Sequence, residues 1–253
     1  MTIFNIIGTG DRAIVAADTG TADVSGDEIT SAGHNSKLFV VPHLQAVLVE
    51  SGSSGILHQF YSTLCTFSDS DDVLSVGQTL GQEFRDRFGE FIDAIPTDAA
   101  GHPYMARLGA YLVGWSPSYG QTVICSFNSD ADSWGEAFSD GVIGAPCSRE
   151  GSPDTSAPEW KAAIAKAKSA DAETALDLAR LQYGLITDAT LQKMNVGGHL
   201  SVAEITKDGI NVRLIRYAFA QPAAQAPSGL SERLQRERDA KRARKAKRRS
   251  RAA

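Results

Sequence analysis

The chain has 253 residues, of which 42% are apolar and 22% charged, the composition of a globular protein that can bury a sizeable core. No stretch of the sequence approaches the roughly 18 consecutive apolar residues of a membrane-spanning helix, so we expect no membrane partner. The net charge of −5 conceals a split between an acidic body and a strongly basic C-terminal tail.

The N-terminal residues predict a β-hairpin. Apolar runs at 3–7 and 13–17 are separated by the polar, glycine-containing segment 8–11. The first twenty residues lack the basic segment of a signal peptide, and Asn5 and the turn keep their apolar runs short. We therefore expect a cytoplasmic protein whose N-terminus is held in a sheet, unlike most chain ends.

Strands and helices follow in runs. Strands are predicted at 37–42, 44–49, 107–114, 121–126, 141–143, 200–206 and 210–215, and helices at 56–64, 71–88, 160–168 and 172–186. Runs of strands, then helices, then strands favour antiparallel sheets over alternating βαβ units. We predict an α+β protein, a four-layer αββα sandwich in which two antiparallel sheets pack face to face with helices outside.

Thr2 is the first candidate catalytic residue. A small residue after Met1 permits removal of the initiator methionine, so we expect the mature chain to begin at Thr2. One residue would then carry both a hydroxyl and a free α-amine, and an N-terminal threonine can use its own amine as the base that activates the hydroxyl. That amine, with an ordinary pKa of about 7.7–8, becomes a base near neutral pH when a nearby cation lowers the pKa.

Asp18 and Lys37 are expected near Thr2. Asp18 ends the second strand of the hairpin whose first strand starts at Thr2, so both residues lie at the same end of the sheet. Lys37 opens the third strand, where its long side chain can reach that edge. A single charged residue is typical of a solvated strand end. Asp18 and Lys37 together, at the edge of the sheet where the Thr2 amine is expected, favour a catalytic site.

These residues and their surroundings resemble the proteasome β-type subunits, a family that includes the bacterial HslV protease and other bacterial homologues. The similarity lies in Thr2, Ala16-Ala-Asp-Thr19, Ser36-Lys-Leu-Phe39 and the Gly/Ser-rich turn 51–55, and it extends over about residues 2–216. Later stretches that fit are Pro103-Tyr-Met105 and the Gly197-Gly198 pair before the last hairpin.

Spacing supports the resemblance. Thr2 and Asp18 are sixteen residues apart, as in the family. Lys37 lies later than is usual there, which we attribute to a longer turn over 23–34.

The resemblance implies a role for each residue. Thr2 would be the nucleophile and its amine the general base. Lys37 would lower the pKa of both groups electrostatically, and Asp18 would pair with Lys37 and hold it in place.

Two further roles are implied less directly. A backbone N–H of the turn at Ser51 and Gly52 would stabilise the oxyanion, and either residue could supply it because this turn is one residue longer than usual. Asp188, at the end of the third main helix, would be a supporting carboxylate.

One position departs from the family. A serine in a Gly-Ser-Gly stretch is usual near the nucleophile, whereas this chain has Ile143 or Ala145 there, depending on alignment. The hydrogen bond that orients the amine would then be missing or supplied by Ser148. Because the nucleophile, aspartate and lysine are present, we favour an active enzyme.

The resemblance also implies assembly. Such subunits form rings or stacked rings that enclose their nucleophiles, and they cleave peptides or unfolded proteins. This sequence contains no ATP-binding motif, so a separate ATP-dependent unfoldase would have to supply energy.

Other classes of function remain as alternatives. The chain could be a catalytically silent ring subunit that acts as a scaffold or binding module, or an N-terminal-nucleophile amidohydrolase that acts on a non-peptide amide. The five histidines have no metal-binding spacing, and the three cysteines are expected to be buried, reduced thiols, so no cofactor or metal is predicted.

The C-terminal part differs from the rest in composition. The folded domain is predicted over 1–220, followed by a Pro/Ala-rich linker over 221–230. The tail, 231–253, carries 11 Lys and Arg against 3 Asp and Glu, and the rest of the chain therefore has a net charge of −13. We expect the tail to be helical or disordered and to contact acidic surfaces. It has no aromatic residues to stack on bases, which argues against nucleic-acid recognition.

Overall fold

Twelve strands and four α-helices are formed by the residues that this computed structural model describes, namely 2–25, 28–52, 54–68, 71–94, 108–144, 156–167, 169–185 and 197–219. The strands are β1 Phe4–Thr9, β2 Arg12–Asp18, β3 Gly20–Ser25, β4 Glu28–His34, β5 Leu38–Val41, β6 Ala46–Gly52, β7 Leu108–Ser116, β8 Gln121–Asn128, β9 Ser133–Phe138, β10 Asp140–Ile143, β11 Leu200–Thr206 and β12 Gly209–Ile215. The α-helices are α1 Ser54–Leu64, α2 Val73–Ala94, α3 Pro158–Lys166 and α4 Ala172–Leu185, and Pro42–Leu44 forms a 3-10 turn.

Every strand pair among these residues is antiparallel. The first sheet has the order β10-β1-β2-β11-β12, the second has the order β5-β6-β7-β8-β9, and β3 and β4 form a separate hairpin. The protein therefore belongs to the α+β class, with three antiparallel sheets, and the predicted class is confirmed at this level.

The buried apolar side chains form three clusters. Successive side chains of a strand point to opposite faces of its sheet, so one strand can contribute to two clusters. In β2, Ile14 and Ala16 pack with α3 and α4, in a cluster that includes Trp160. Ala13, Val15 and Ala17 of the same strand share a second cluster with residues of β5, β6, β7 and β8. A third cluster joins the second sheet to α1 and α2. Both sheets are thus held by apolar contacts on each of their faces.

Most predicted elements are present, but two strand-forming regions were missed. The segment 23–34, predicted as a long turn, contains most of the β3–β4 hairpin, whose strands pair from Gly20 and His34 to Ser25 and Glu28. Strand β9 was not predicted, because Gly135, which has a φ of +88°, interrupts a short sequence without regular apolar alternation.

The cysteines were all expected to be buried, and the structure confirms this for one of them and contradicts it for another. Cys125 is buried, and its burial, together with the Asp72 carboxylate, raises the pKa of its thiol to about 12, which makes it unreactive. Cys65, expected to be buried, is exposed at the end of α1. Cys147 lies outside the described residues.

The predicted end of the folded domain, at residue 220, directly follows the last residue that the structure describes. Residues Met1–Phe219 form one compact unit, and the predicted linker and basic tail lie outside the residues described. None of the described helices is both long and apolar enough to cross a membrane.

Helix α2 lies unusually close to the second sheet. It begins after Asp72, whose carboxylate accepts the N–H of Leu74 at 2.8 Å and so caps the helix. A Cβ at Gly77 would collide with the thiol of Cys125, and one at Gly81 would overlap the backbone carbonyl of Trp134. The two glycines therefore permit the backbone of α2 to contact β8 and β9 directly.

We predict that Gly81→Ala destabilises the protein by about 2 kcal/mol, because the rigid backbone of β9 must move to make room for the methyl group. Gly89→Ala, on the same helix, is the matched control, since a Cβ there has nothing within 4 Å. It should stabilise by about 0.5–1 kcal/mol through helix propensity. Urea unfolding measures both, and equal effects of the two substitutions would contradict the close packing.

Candidate active site

Thr2 lies where the first strand meets a buried carboxylate. Strand β1 begins two residues later at Phe4, which pairs with Ala17 of β2. The next residue, Ile3, donates its N–H to Asp18 Oδ1 at 2.9 Å and accepts the Asp18 N–H at 2.9 Å. Thr2 is half-buried and is one residue away from this bonded pair.

Asp18 is completely buried and accepts hydrogen bonds at both carboxylate oxygens. Lys37 Nζ donates to Oδ1 at 2.7 Å, beside the Ile3 N–H, and the N–H of Gly197 donates to Oδ2 at 2.7 Å. The Lys37 side chain is itself only 10% exposed. Burying a carboxylate is costly unless it is paired and hydrogen-bonded, and both conditions are met here. The structure therefore brings Asp18 and Lys37 together next to Thr2.

The segment 197–199 is a part of the site that the sequence analysis did not assign to it. Besides bonding Asp18 through its N–H, Gly197 accepts the Gly20 N–H at 3.0 Å. His199 accepts the Thr19 N–H at 3.0 Å and donates its own N–H to Thr19 Oγ1 at 3.2 Å. These bonds extend the pairing of β11 with β2 past the end of both strands. The Gly197-Gly198 pair before the last hairpin was the signal that could have indicated this contact.

The base of the β3–β4 hairpin is fixed at the same place. The rings of His34 and His199 stack with their centroids 5.3 Å apart, and His34 Nδ1 lies 3.2 Å from Thr19 Oγ1. Gly198 has a φ of +80°, and a Cβ there would collide with the His34 ring. The hairpin therefore begins and ends beside the site, between Asp18 and Lys37 in the sequence.

Ser51 and Gly52 are the last two residues of β6, where a turn was predicted. They pair with Gly109 and Leu108 of β7, so the connection to α1 is shorter than expected. The N–H of Glu50 donates to Lys37 O at 3.3 Å, on the side of β5. Because N–H groups alternate in direction along an antiparallel strand, that of Ser51 points towards β7 and that of Gly52 points to the Lys37 side.

Glu50 is a second acidic residue of this region that the sequence analysis did not identify as functional. Its side chain is 4% exposed, and its Oε2 makes no hydrogen bond with any residue in the described part of the chain. Burial raises the pKa of this carboxyl well above its usual value, while the nearby charge of Lys37 acts in the opposite direction. A glutamate directly after the apolar run 46–49 was the available signal.

Of the remaining predicted positions, the structure describes only Ile143. Asp188, Ala145 and Ser148 lie outside the described residues. Ile143 pairs with Ile6 of β1 and packs against the cluster between the sheets. Since each strand residue advances the chain by about 3.3 Å, Ile143 is too far along β1 to contact Thr2.

The site thus combines a half-buried residue, a buried ion pair and a backbone N–H on the Lys37 side of β6. Within the described ranges no group of three or more His, Cys, Asp or Glu side chains could hold a metal ion. No protein-family model matches the sequence, and a search of curated proteins found no match.

We predict that Lys37→Met destabilises the protein by about 3 kcal/mol, because it leaves the Asp18 carboxylate buried without its cation. The matched control is Arg12→Met, which removes an ion pair with Glu204 whose side chains are 46% and 37% exposed. Exposed pairs contribute less than about 1 kcal/mol, so the control should unfold at nearly the wild-type urea concentration. Similar losses for both variants would show that the Lys37–Asp18 pair is not effectively buried.

Proposed function

We propose that this chain is a threonine peptidase of the proteasome β type whose nucleophile is Thr2, exposed by removal of Met1. The observation that carries the proposal is the bonding of Asp18, whose Oδ1 accepts both the N–H of Ile3 and the ammonium of Lys37. One carboxylate thereby fixes the backbone beside Thr2 and holds a cation at the same place. A fixed backbone positions the nucleophile and a nearby cation helps to activate it, so both conditions suit an N-terminal nucleophile.

The proposed reaction begins when Thr2 Oγ attacks the carbonyl carbon of the scissile amide and its proton passes to the free α-amine. That proton is then donated to the leaving nitrogen as the carbon–nitrogen bond breaks, which leaves an ester on Thr2. The amine next takes a proton from the water molecule that attacks the ester, and it returns this proton to Thr2 Oγ as the acid product leaves, which restores the hydroxyl. The amine therefore acts alternately as general base and general acid.

Lys37 and Gly52 have electrostatic roles in this proposal. The positive charge of Lys37 favours the neutral amine and the deprotonated hydroxyl, and so lowers the pKa of both groups. The Gly52 N–H, on the Lys37 side of β6, suits the oxyanion role better than the Ser51 N–H, which faces β7. Asp188 remains a proposed supporting carboxylate.

The arrangement of the core supports the finer fold assignment. One apolar cluster lies between the first sheet and α3 and α4, one between the two sheets, and one between the second sheet and α1 and α2. This order supports a four-layer αββα sandwich of the N-terminal-nucleophile type. In such a protein we propose a homo-oligomeric ring or stacked rings, peptide or unfolded-protein substrates and a separate ATP-dependent unfoldase.

The alternatives differ in the reactivity of Thr2. A silent ring subunit would keep the ring but would not react with a covalent threonine-directed inhibitor such as a peptide boronate. An amidohydrolase of the same fold would react with such an inhibitor and would leave peptides uncleaved.

We predict that intact-mass analysis finds the mature chain without Met1 and with an unblocked Thr2. Thr2→Ala should abolish hydrolysis of fluorogenic peptides and boronate labelling, because it removes the attacking oxygen. Thr9→Ala is the control, since Thr9 lies exposed at the other end of β1, and it should retain wild-type turnover. Retained Met1, an acetylated Thr2 or an active Thr2→Ala variant would refute the proposed mechanism.

We also predict that the purified protein assembles into particles of several times the 26.9 kDa chain mass. Mass photometry at about micromolar concentration measures this. The Thr2→Ala variant should give the same particles, because the nucleophile is not expected to hold subunits together. Particles of a single chain mass in both proteins would contradict the ring.

A further inference from the structure

Glu50 is a buried acid that the proposed mechanism does not use. Ionising a buried carboxyl that has an unbonded oxygen is unfavourable, and the group avoids that cost by remaining protonated. Glu50 is 4% exposed and its Oε2 has no hydrogen-bond partner in the described part of the chain. The carboxyl is therefore neutral over a pH range in which an exposed glutamate is charged.

The position of Glu50 ties it to the ion pair. Its backbone N–H bonds the carbonyl of Lys37, and the Lys37 ammonium is the charge that acts on its carboxyl. Two residues further along β6 is Gly52, the proposed oxyanion donor. Glu50 thus lies opposite Lys37 across the pairing of β5 with β6, and two residues before the proposed oxyanion donor on its own strand.

The other titratable groups nearby are placed differently. The elements around Glu50 carry the following ionisable side chains: Lys37 before β5, Asp18 at the end of β2, His58 and Tyr61 on α1, and Tyr111 on β7. Asp18 is already bonded to Lys37, and the Tyr61 hydroxyl donates to Val40 O. His58 is exposed with its ring edge-on to Phe39, and Tyr111 belongs to the cluster between the sheets. Lys37 is therefore the group through which Glu50 can influence the site.

We infer that Glu50 is a positioning residue that acts through Lys37: neutral Glu50 leaves the lysine charge fully effective at Thr2, and ionised Glu50 weakens it. The inference rests on the proposed peptidase function. With Glu50 protonated, Lys37 keeps its ion pair with the Asp18 carboxylate, and Glu50 adds no negative charge beside it. A second negative charge would offset the field that activates the hydroxyl and the amine. Loss of the Glu50 proton to solvent therefore lowers the rate of peptide hydrolysis as pH rises.

The test uses Glu50→Gln, which has nearly the same shape and stays neutral at every pH. As pH rises and Glu50 ionises, wild-type peptide hydrolysis should fall below that of the Gln variant, by about tenfold if the pKa of the nucleophile returns by one unit. At pH values low enough to keep Glu50 protonated, the two proteins should have the same activity. Glu204→Gln, which removes an exposed carboxylate of β11, should keep the wild-type profile. Identical profiles for wild type and Glu50→Gln would overturn the inference and leave the peptidase proposal intact.

A second measurement does not depend on activity. Folded Glu50 holds its proton to a higher pH than the unfolded chain, so wild-type stability is complete below the ordinary carboxyl pKa and falls as pH rises through the raised value. The folding equilibrium constant of Glu50→Gln relative to wild type should therefore increase by up to about tenfold per pH unit above about pH 5. For Glu204→Gln the ratio should stay constant.

The outcomes separate the two proposals. If the folding equilibrium constant of Glu50→Gln relative to wild type does not change with pH, Glu50 is not a buried neutral acid and the inference is overturned. An inactive wild type whose Thr2 resists boronate labelling would refute the peptidase and this inference together. If Glu50→Gln fails to fold, Glu50→Leu is the second neutral variant for both measurements.

Discussion

The hydrogen bonding of one buried carboxylate, that of Asp18, determines how the candidate site is assembled. Its three donors come from the N-terminus, from the residue before β5 and from the residues before β11. Because the carboxylate has no access to water, each missing donor would leave uncompensated negative charge in the interior. The protein can therefore place this aspartate here only if all three segments converge on it, and their convergence defines the surroundings of Thr2.

The sheets make that convergence possible. Asp18 ends β2, which is flanked by β1 and β11 in the first sheet, so two of its donors arrive by ordinary strand pairing. Lys37 arrives from the second sheet, which packs on the first through the apolar cluster that contains Val15 and Val49. The electrostatics of the site thus depend on sheet-on-sheet packing, and a change in that packing would move the lysine relative to the aspartate.

The site also contains a second buried acidic residue, Glu50, beside the ion pair of Lys37 and Asp18. Asp18 is bonded at both oxygens, while Glu50 has an unbonded buried oxygen close to the same lysine. Natural proteins rarely keep such groups without a reason, because a neutral apolar residue would be less costly. Under the proposed function, the second carboxyl links the charge of the lysine to the pH of the solution.

Local patterns in the sequence determined much of the fold. Alternating apolar residues and Gly-containing turns predicted the β1–β2 and β11–β12 hairpins, and helical spacing predicted α1 to α4. Elements with weak patterns were missed: β3 and β4 consist largely of small and polar residues, and β9 is interrupted by Gly135. These strands are stabilised by pairing with neighbours, which leaves no periodic signal in their own residues.

For the site, the sequence by itself determined the candidates near the first hairpin. Thr2 and Asp18 could be placed together because the two strands of a hairpin start and end at the same edge. Lys37 could be added because it opens the next predicted strand with a side chain long enough to reach that edge, and the resemblance to the proteasome β type implied its role. Only the tertiary structure decided that Gly197, 179 residues from Asp18, binds the same carboxylate, and that Glu50 is buried beside Lys37. Burial and long-range contacts depend on which strands become neighbours in the sheets, and that order is a property of the whole packed core.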